Sequence, residues 1–137
     1  MLYMLDTNIC SYIIRNKPQS IKTKLQEVEQ NHTVALSSIV VSELLYGATK
    51  KDSPKLLRIV SAFIDNFIIY DYSKISAQSY ANIRTDLEKK GEIIGANDLL
   101  IASHALSLGA VLVTNNTREF ERVEKLVLED WSLDLAL

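Results

Sequence analysis

Paired cysteines, a long apolar run and an excess of basic residues are all missing from this sequence. Each absence narrows what the chain can be. There is one cysteine, Cys10, so no internal disulfide and no cysteine-based metal cluster can form. Two prolines and four glycines in 137 residues leave little material for linkers. With no repeat or low-complexity stretch, residues 1–137 are expected to form a single domain. No long apolar run is present: Met1-Leu2-Tyr3-Met4-Leu5 meets Asp6 at once. That is too short for a signal peptide or a membrane span, so a cytoplasmic protein without membrane association is expected. The formal net charge is −2, without the basic excess usual in nucleic-acid-binding proteins. Neither G-x-x-x-x-G-K-S/T nor G-x-G-x-x-G occurs, which argues against the common nucleotide-binding enzymes. Asp6 is followed by Thr7 and Asn8, not by the second acid that a phosphatase or a receiver domain would show.

What is present suffices for a core. Hydrophobic residues are 47% of the chain, and a domain of this length removes roughly two thirds of its unfolded surface from water. Residues 2–5 read as a short buried strand. Asp6, Thr7 and Asn8 are candidate caps for a helix through Ile9–Ile14, and Pro18 separates it from a polar helix over Ser20–Glu29. Thr33–Leu36 is strand-like, and Ser37-Ser38 precede a helix running to about Lys51. Pro54 suits the first turn of a helix over Lys55–Asp65. Phe67–Tyr70 reads as a strand, and Ser73 caps a long helix, Ile75–Lys90, that Gly91 ends. Asn97-Asp98 open a helix that Gly109 ends. Val111–Thr114 is a buried strand, a short helix covers Arg118–Arg122, and a last strand lies near Leu126–Leu128. Short strands alternating with helices predict an α/β sandwich with a mainly parallel sheet. Sites in such sheets form beyond the carboxyl ends of strands.

The acids fall at those ends. Asp6 follows the first strand, Asp98 starts a helix feeding a central strand, and Glu119 lies five residues beyond Thr114. Glu43 sits among Val40, Val41, Leu44 and Leu45, with Gly47 four residues later on the same helix face. A glycine inside a helix costs about 1 kcal/mol relative to alanine. Open space beside Glu43, for another chain or a ligand, is one compensating gain. Spacing alone leaves simpler readings open: Asp6 and Asp98 as helix caps, Glu43 and Glu119 as solvated charges. If the carboxylates do converge, they repel and need a cation to stay ionised together. An oxygen-only donor set points to Mg²⁺ or Mn²⁺ rather than zinc, and such ions serve phosphodiester hydrolysis.

At these same residues the chain resembles the PIN domains, and in particular the VapC-type toxins of bacterial toxin–antitoxin pairs. Leu5-Asp6-Thr7-Asn8 is similar to the family's first motif. Ser38 followed by Glu43-Leu44-Leu45-Tyr46-Gly47 is similar to its second. Asn97-Asp98-Leu99-Leu100-Ile101-Ala102 is similar to its third, and Val113-Thr114-Asn115-Asn116-Thr117-Arg118-Glu119-Phe120 to its fourth. The closing Glu129-Asp130-Trp131 adds to the likeness. The resemblance implies a three-layer αβα sandwich, a Mg²⁺- or Mn²⁺-dependent endoribonuclease, a homodimer and a complex with a VapB-like antitoxin. Initiator tRNA, cut in its anticodon region, is the substrate it implies. The alternative on the same fold is a non-catalytic RNA- or protein-binding module, against which the intact acid set argues.

The same resemblance assigns roles. Asp6 and Asp98 ligate the principal ion. Glu43 ligates it or orients a water. Glu119, with Asn116 assisting, completes the site, where many PIN domains carry an aspartate at the position of Asn116. Thr7 offers its hydroxyl to the metal or to a water. Arg84, Lys89, Lys90 and Arg118 are separately candidate phosphate contacts, and basic residues cluster at Lys50/Lys51/Lys55/Arg58, Lys89/Lys90 and Arg118/Arg122/Lys125. Such clusters are more often plain solvated helix faces. His104 and Cys10 are read as structural, and Trp131 as an anchor for the final segment.

Overall fold

A computed structural model describes residues 1–132; the last five residues of the expected domain lie outside the described residues. Five strands and seven helices alternate among them. The order is β1 (Leu2–Leu5), α1 (Thr7–Arg15), α2 (Gln19–Glu29), β2 (Thr33–Ser37), α3 (Ser38–Lys50), α4 (Pro54–Ile64) and β3 (Ile68–Tyr70). Then follow α5 (Lys74–Lys90), α6 (Ala96–Ser107), β4 (Val111–Val113), α7 (Thr117–Phe120) and β5 (Val127–Glu129).

The strands form one sheet in the order β3-β2-β1-β4-β5. Every pairing is parallel, so the sheet is wholly rather than mainly parallel. In β1, Met4 and Leu5 point to opposite faces and both are buried, and all of β4 is buried. Both faces of the sheet centre are therefore covered by helices, which gives the three layers. The core runs through Leu5, Ile9, Ile21, Leu36, Leu87, Leu112 and Phe120, all sealed from solvent. Among the described residues no helix is long and apolar enough to cross a membrane.

Local chemistry sets the helix ends. Asp6 is the cap of α1, its carboxylate accepting from the Thr7 amide at 2.8 Å. Asn16, in the left-handed region at φ 56°, ends α1 before Pro18. Ser37, Ser53 and Ser73 cap α3, α4 and α5, and Pro54 enters the first turn of α4 as its fixed φ favours. Gly91 closes α5 at φ 68°, where a side chain would be strained. The opening of α6 differs from the sequence reading. It begins at Ala96 behind Gly95, which offers no capping side chain, so Asp98 lies inside the first turn and caps nothing.

The topology marks one place on the sheet. The chain moves from β1 outward through β2 to β3, then crosses back to lay β4 on the other side of β1. Where the order reverses, the connections leave in opposite directions and a crevice opens beyond the strands' carboxyl ends. Here that crevice lies between the ends of β1 and β4.

Candidate active site

Asp6 stands at the mouth of that crevice, 5% exposed. Its amide donates to the carbonyl of Val113 at 2.8 Å, locking the end of β1 to the end of β4. Its carboxylate accepts from the Thr7 amide and, through Oδ2, from the Thr114 hydroxyl at 2.8 Å. Thr114 is fully buried and also accepts the Asn116 amide at 3.0 Å. One hydroxyl thus fixes both the first acid and the turn leading to α7.

Glu43 reaches the crevice from the middle of α3. The Thr7 hydroxyl donates to its Oε1 at 2.6 Å, and the Asn97 side-chain amide donates to its Oε2 at 3.2 Å. Thr7 was expected to serve a metal or a water; its hydroxyl is engaged with Glu43. Beside Glu43 a groove of about 400 Å³ opens, bordered by Gly47 and floored by Leu44, Ala48, Leu56 and Val60. A methyl group added at Gly47 would meet nothing within 4 Å. The open space inferred from a glycine inside a helix is present.

Asp98, from the first turn of α6, and Glu119, from α7, complete the group. Asn116 donates to Glu119 Oε2 at 2.8 Å, so its amide holds the glutamate. Asp98 and Glu119 face each other closely enough to share a hydrogen bond.

The electrostatics record the crowding. Burial pushes the Asp98 carboxyl up to about 7, helped by its hydrogen bond with Glu119 and by the charges of Asp6, Glu119 and Glu43. Its partner Glu119 moves down, because Asp98 and Asn116 donate to it and Arg122 lies near. Asp6 is raised, chiefly by burial and further by Glu43, although the bonds from Thr114 and Thr7 oppose this. The charges of Asp6, Glu43 and Glu119, distant in sequence, therefore all bear on the ionisation of Asp98, and that of Glu43 also on Asp6. Solvated surface charges would not.

The side chains as they stand do not close into a ligand cage: among the described residues, no three His, Cys, Asp or Glu are arranged to hold a metal ion. Each glutamate is drawn instead toward a neutral donor. The donor chemistry nevertheless fits a hard divalent cation. The available ligands are carboxylate, amide and hydroxyl oxygens, and such an ion offsets both the burial that chiefly lifts Asp98 and the repulsion that adds to it. Cys10 is kept out of the set, its thiol raised well above its ordinary value by burial and then by the Asp6 charge. His104 is buried and its Nδ1 is hydrogen-bonded to Ser37 Oγ at 2.7 Å.

The expected phosphate contacts separate. Arg84 is bound to Tyr80 and Glu88 on its own helix, and Lys90 to Asp86 and Glu124. Lys89 is exposed on the same last turn. Arg118 is exposed next to Glu119 and lines a shallow recess with Glu92, Glu121 and Arg122. Of these, Arg118 is adjacent to Glu119 in sequence, while the cation whose charge reaches Glu119 is Arg122. Trp131 is buried, its indole N–H donating to Glu129 at 2.9 Å, as an anchor would be. Two functional neighbours were given no site role from the sequence: Thr114, a strand residue within the fourth motif, and Asn97, a helix opener at the head of the third. A polar residue ending an apolar strand, inside the fourth motif, was the available signal for Thr114.

The family model for the PIN domain matches residues 3–126. Ribonuclease VapC2 of Rickettsia felis is 48% identical over 132 residues, covering 96% of this chain and 98% of that protein. The tRNA(fMet)-specific endonuclease VapC of Shigella flexneri is 42% identical over 131 residues, covering 95% and 98%. Among solved structures, the crystal structure of VapBC2 from Rickettsia felis bound to a DNA fragment from their promoter contains a similar chain. It superposes with a TM-score of 0.91 at 47% identity, covering 96% of this chain and 99% of that one. Identity at this level over nearly the whole of each chain leaves one assignment: this chain belongs to the PIN-domain family, among the VapC ribonucleases.

Proposed function

We propose that this chain is a Mg²⁺- or Mn²⁺-dependent endoribonuclease, the toxin of a toxin–antitoxin pair, with initiator tRNA as substrate and a VapB-like antitoxin as inhibitor. One observation carries the reading. Carboxylates from separate chain segments converge at the β1/β4 crevice, and burial with mutual repulsion lifts Asp98 to about 7. Such an arrangement is costly for an empty surface and suited to a cation. The similarity to ribonuclease VapC2 and to the tRNA(fMet)-specific endonuclease supports the substrate class. The likeness to a chain of a VapBC2 structure supports the partner.

A bound divalent ion supplies positive charge against the scissile phosphate and acidifies a water. Asp6 and Asp98 would hold it. Asp6 is already oriented by Thr114 and Thr7. Glu43, fixed at both oxygens, is placed to ligate or to orient the attacking water, and Glu119 to support a second ion or its hydration shell. Water attacks the phosphorus as the bond to the leaving ribose oxygen breaks. The groove beside Glu43, with Arg15 and Lys51 on its rim and an apolar floor, suits an antitoxin segment that delivers a basic side chain to the acids. The toxin itself is expected as a homodimer.

The test is incubation of antitoxin-free protein with total bacterial RNA, with Mg²⁺ or with EDTA, beside Asp98→Asn. Discrete fragments that need both the metal and Asp98 are expected, and end-mapping identifies the RNA. No cleavage with any divalent metal replaces this reading with that of a binding module.

A further inference from the structure

Asn97 has no structural duty that accounts for it. It is exposed, it lies in the first turn of α6, and Gly95 rather than Asn97 occupies the cap. Asparagine is unfavourable inside helices because its amide competes for nearby backbone groups. Among the described residues its recorded side-chain hydrogen bond is to Glu43 Oε2, at 3.2 Å. The other oxygen, Oε1, is held at 2.6 Å by the Thr7 hydroxyl. The two donors are the chain neighbours of Asp6 and Asp98. The helix starts that present the aspartates therefore also set the rotamer of the acid that α3 presents.

We propose that Asn97 is a positioning residue for Glu43, closing with Thr7 a two-sided clamp that holds the carboxylate toward Asp6 and Asp98. This rests on the nuclease reading above. A glutamate has three side-chain torsions and Glu43 is half-exposed beside an open groove. Left free, it would sample conformations pointing into the groove or into solvent. Both clamping groups are neutral donors, so they orient the carboxylate without occupying the site with a competing positive charge. Each oxygen accepts one bond and retains capacity for a water or an ion. The clamp also ties α3 to α6 and to α1 at the point where their three acids meet.

Asn97→Ala and Thr7→Val would be compared with wild type, with Thr7→Ser, and with Asn97→Ala in a Glu43→Ala background. Single-turnover cleavage of RNA and Mn²⁺ titration by calorimetry are the readouts. Loss of groups that orient ligands typically costs 10–100-fold in metal affinity or activity. Asn97→Ala is expected to lower the cleavage rate about 10-fold with KM within about twofold of wild type, and to weaken Mn²⁺ binding similarly. Thr7→Ser should retain what Thr7→Val loses. In the Glu43→Ala background, Asn97→Ala should change neither readout. Independent, additive losses there would show that Asn97 acts on RNA or metal directly and would overturn the proposal, as would a rise in KM alone or an unaffected Asn97→Ala. Wild-type protein that neither binds Mn²⁺ nor cleaves RNA would overturn the nuclease reading, and the positioning role with it.

Discussion

Replacing Thr114 by valine keeps nearly the same shape in a fully buried place and removes one hydroxyl. That hydroxyl donates to Asp6 Oδ2 at 2.8 Å and accepts the Asn116 amide at 3.0 Å. A hydrogen bond to a charged group contributes about 1.5–3 kcal/mol, and the Asn116 amide, in a half-buried turn, adds about 0.5–1 kcal/mol. Thr114→Val should therefore lower the unfolding free energy by about 2–4 kcal/mol, a large share of the ~5–15 kcal/mol expected of a domain. Thr114→Ser is the control: it keeps the hydroxyl and loses one buried methyl, at about 1 kcal/mol. Because the Thr114 bond holds the Asp6 carboxyl down against burial, its loss also moves that carboxyl further up. Urea unfolding followed by circular dichroism, at pH 8 in EDTA, measures the difference with Asp6 ionised and no metal bound. Equal m-values are needed for the comparison. Agreement of the two variants to within about 0.5 kcal/mol would refute the claim that this bond ties the β1 and β4 ends together.

Three further outcomes follow from single side chains. Gly47→Ala should raise stability by about 0.5–1 kcal/mol, since the added methyl meets nothing within 4 Å and alanine favours the helix; a fall in melting temperature would contradict this. Phe120→Ala should cost about 3–5 kcal/mol and uncouple α7, a four-residue helix too short to stand alone and pinned by that sealed ring. Under urea, a cost below about 1 kcal/mol would mean that Glu119 is placed by something else. His104 is held below its ordinary value of 6.5 by burial, with the Asp71 charge pulling the other way. At this site the unfolded chain therefore binds more protons than the folded one near and below pH 6.5, so the stability that His104 contributes falls as pH drops through that value, against the opposite contribution of Asp98, whose raised carboxyl takes up its proton in the folded chain first. The stability of wild type relative to His104→Gln should fall as pH drops from 8 to 5, and a difference that stays constant over that range would assign the titration elsewhere.

Different parts of this molecule were legible in the sequence for different physical reasons. Strands and helices could be read because burial period and capping chemistry are local: Ser37, Ser53, Ser73, Pro54 and Gly91 each act within a few residues of where they stand. The acids could be placed at strand ends by the same reasoning, and four motifs in order gave the family. The strand order could not be read, because a β1–β4 neighbourhood is a contact between residues more than a hundred apart. The crevice that turns scattered acids into one site exists only through that contact. The same limit hid Thr114 and Asn97. A threonine at the end of Val-Leu-Val and an asparagine before Asp98 look like local punctuation, and their partners, Asp6 and Glu43, lie 108 and 54 residues away. Even the ambiguity over Asp6 dissolves in three dimensions. Capping α1 and facing the other acids are not alternatives, since one carboxylate oxygen takes the Thr7 amide and the other the Thr114 hydroxyl. For Asp98 the capping reading fails outright, because α6 starts at Ala96 and leaves its carboxyl directed at Glu119. A carboxyl raised by burial and by its neighbours in this way is a cost that the fold bears at a place where local rules would have chosen another residue.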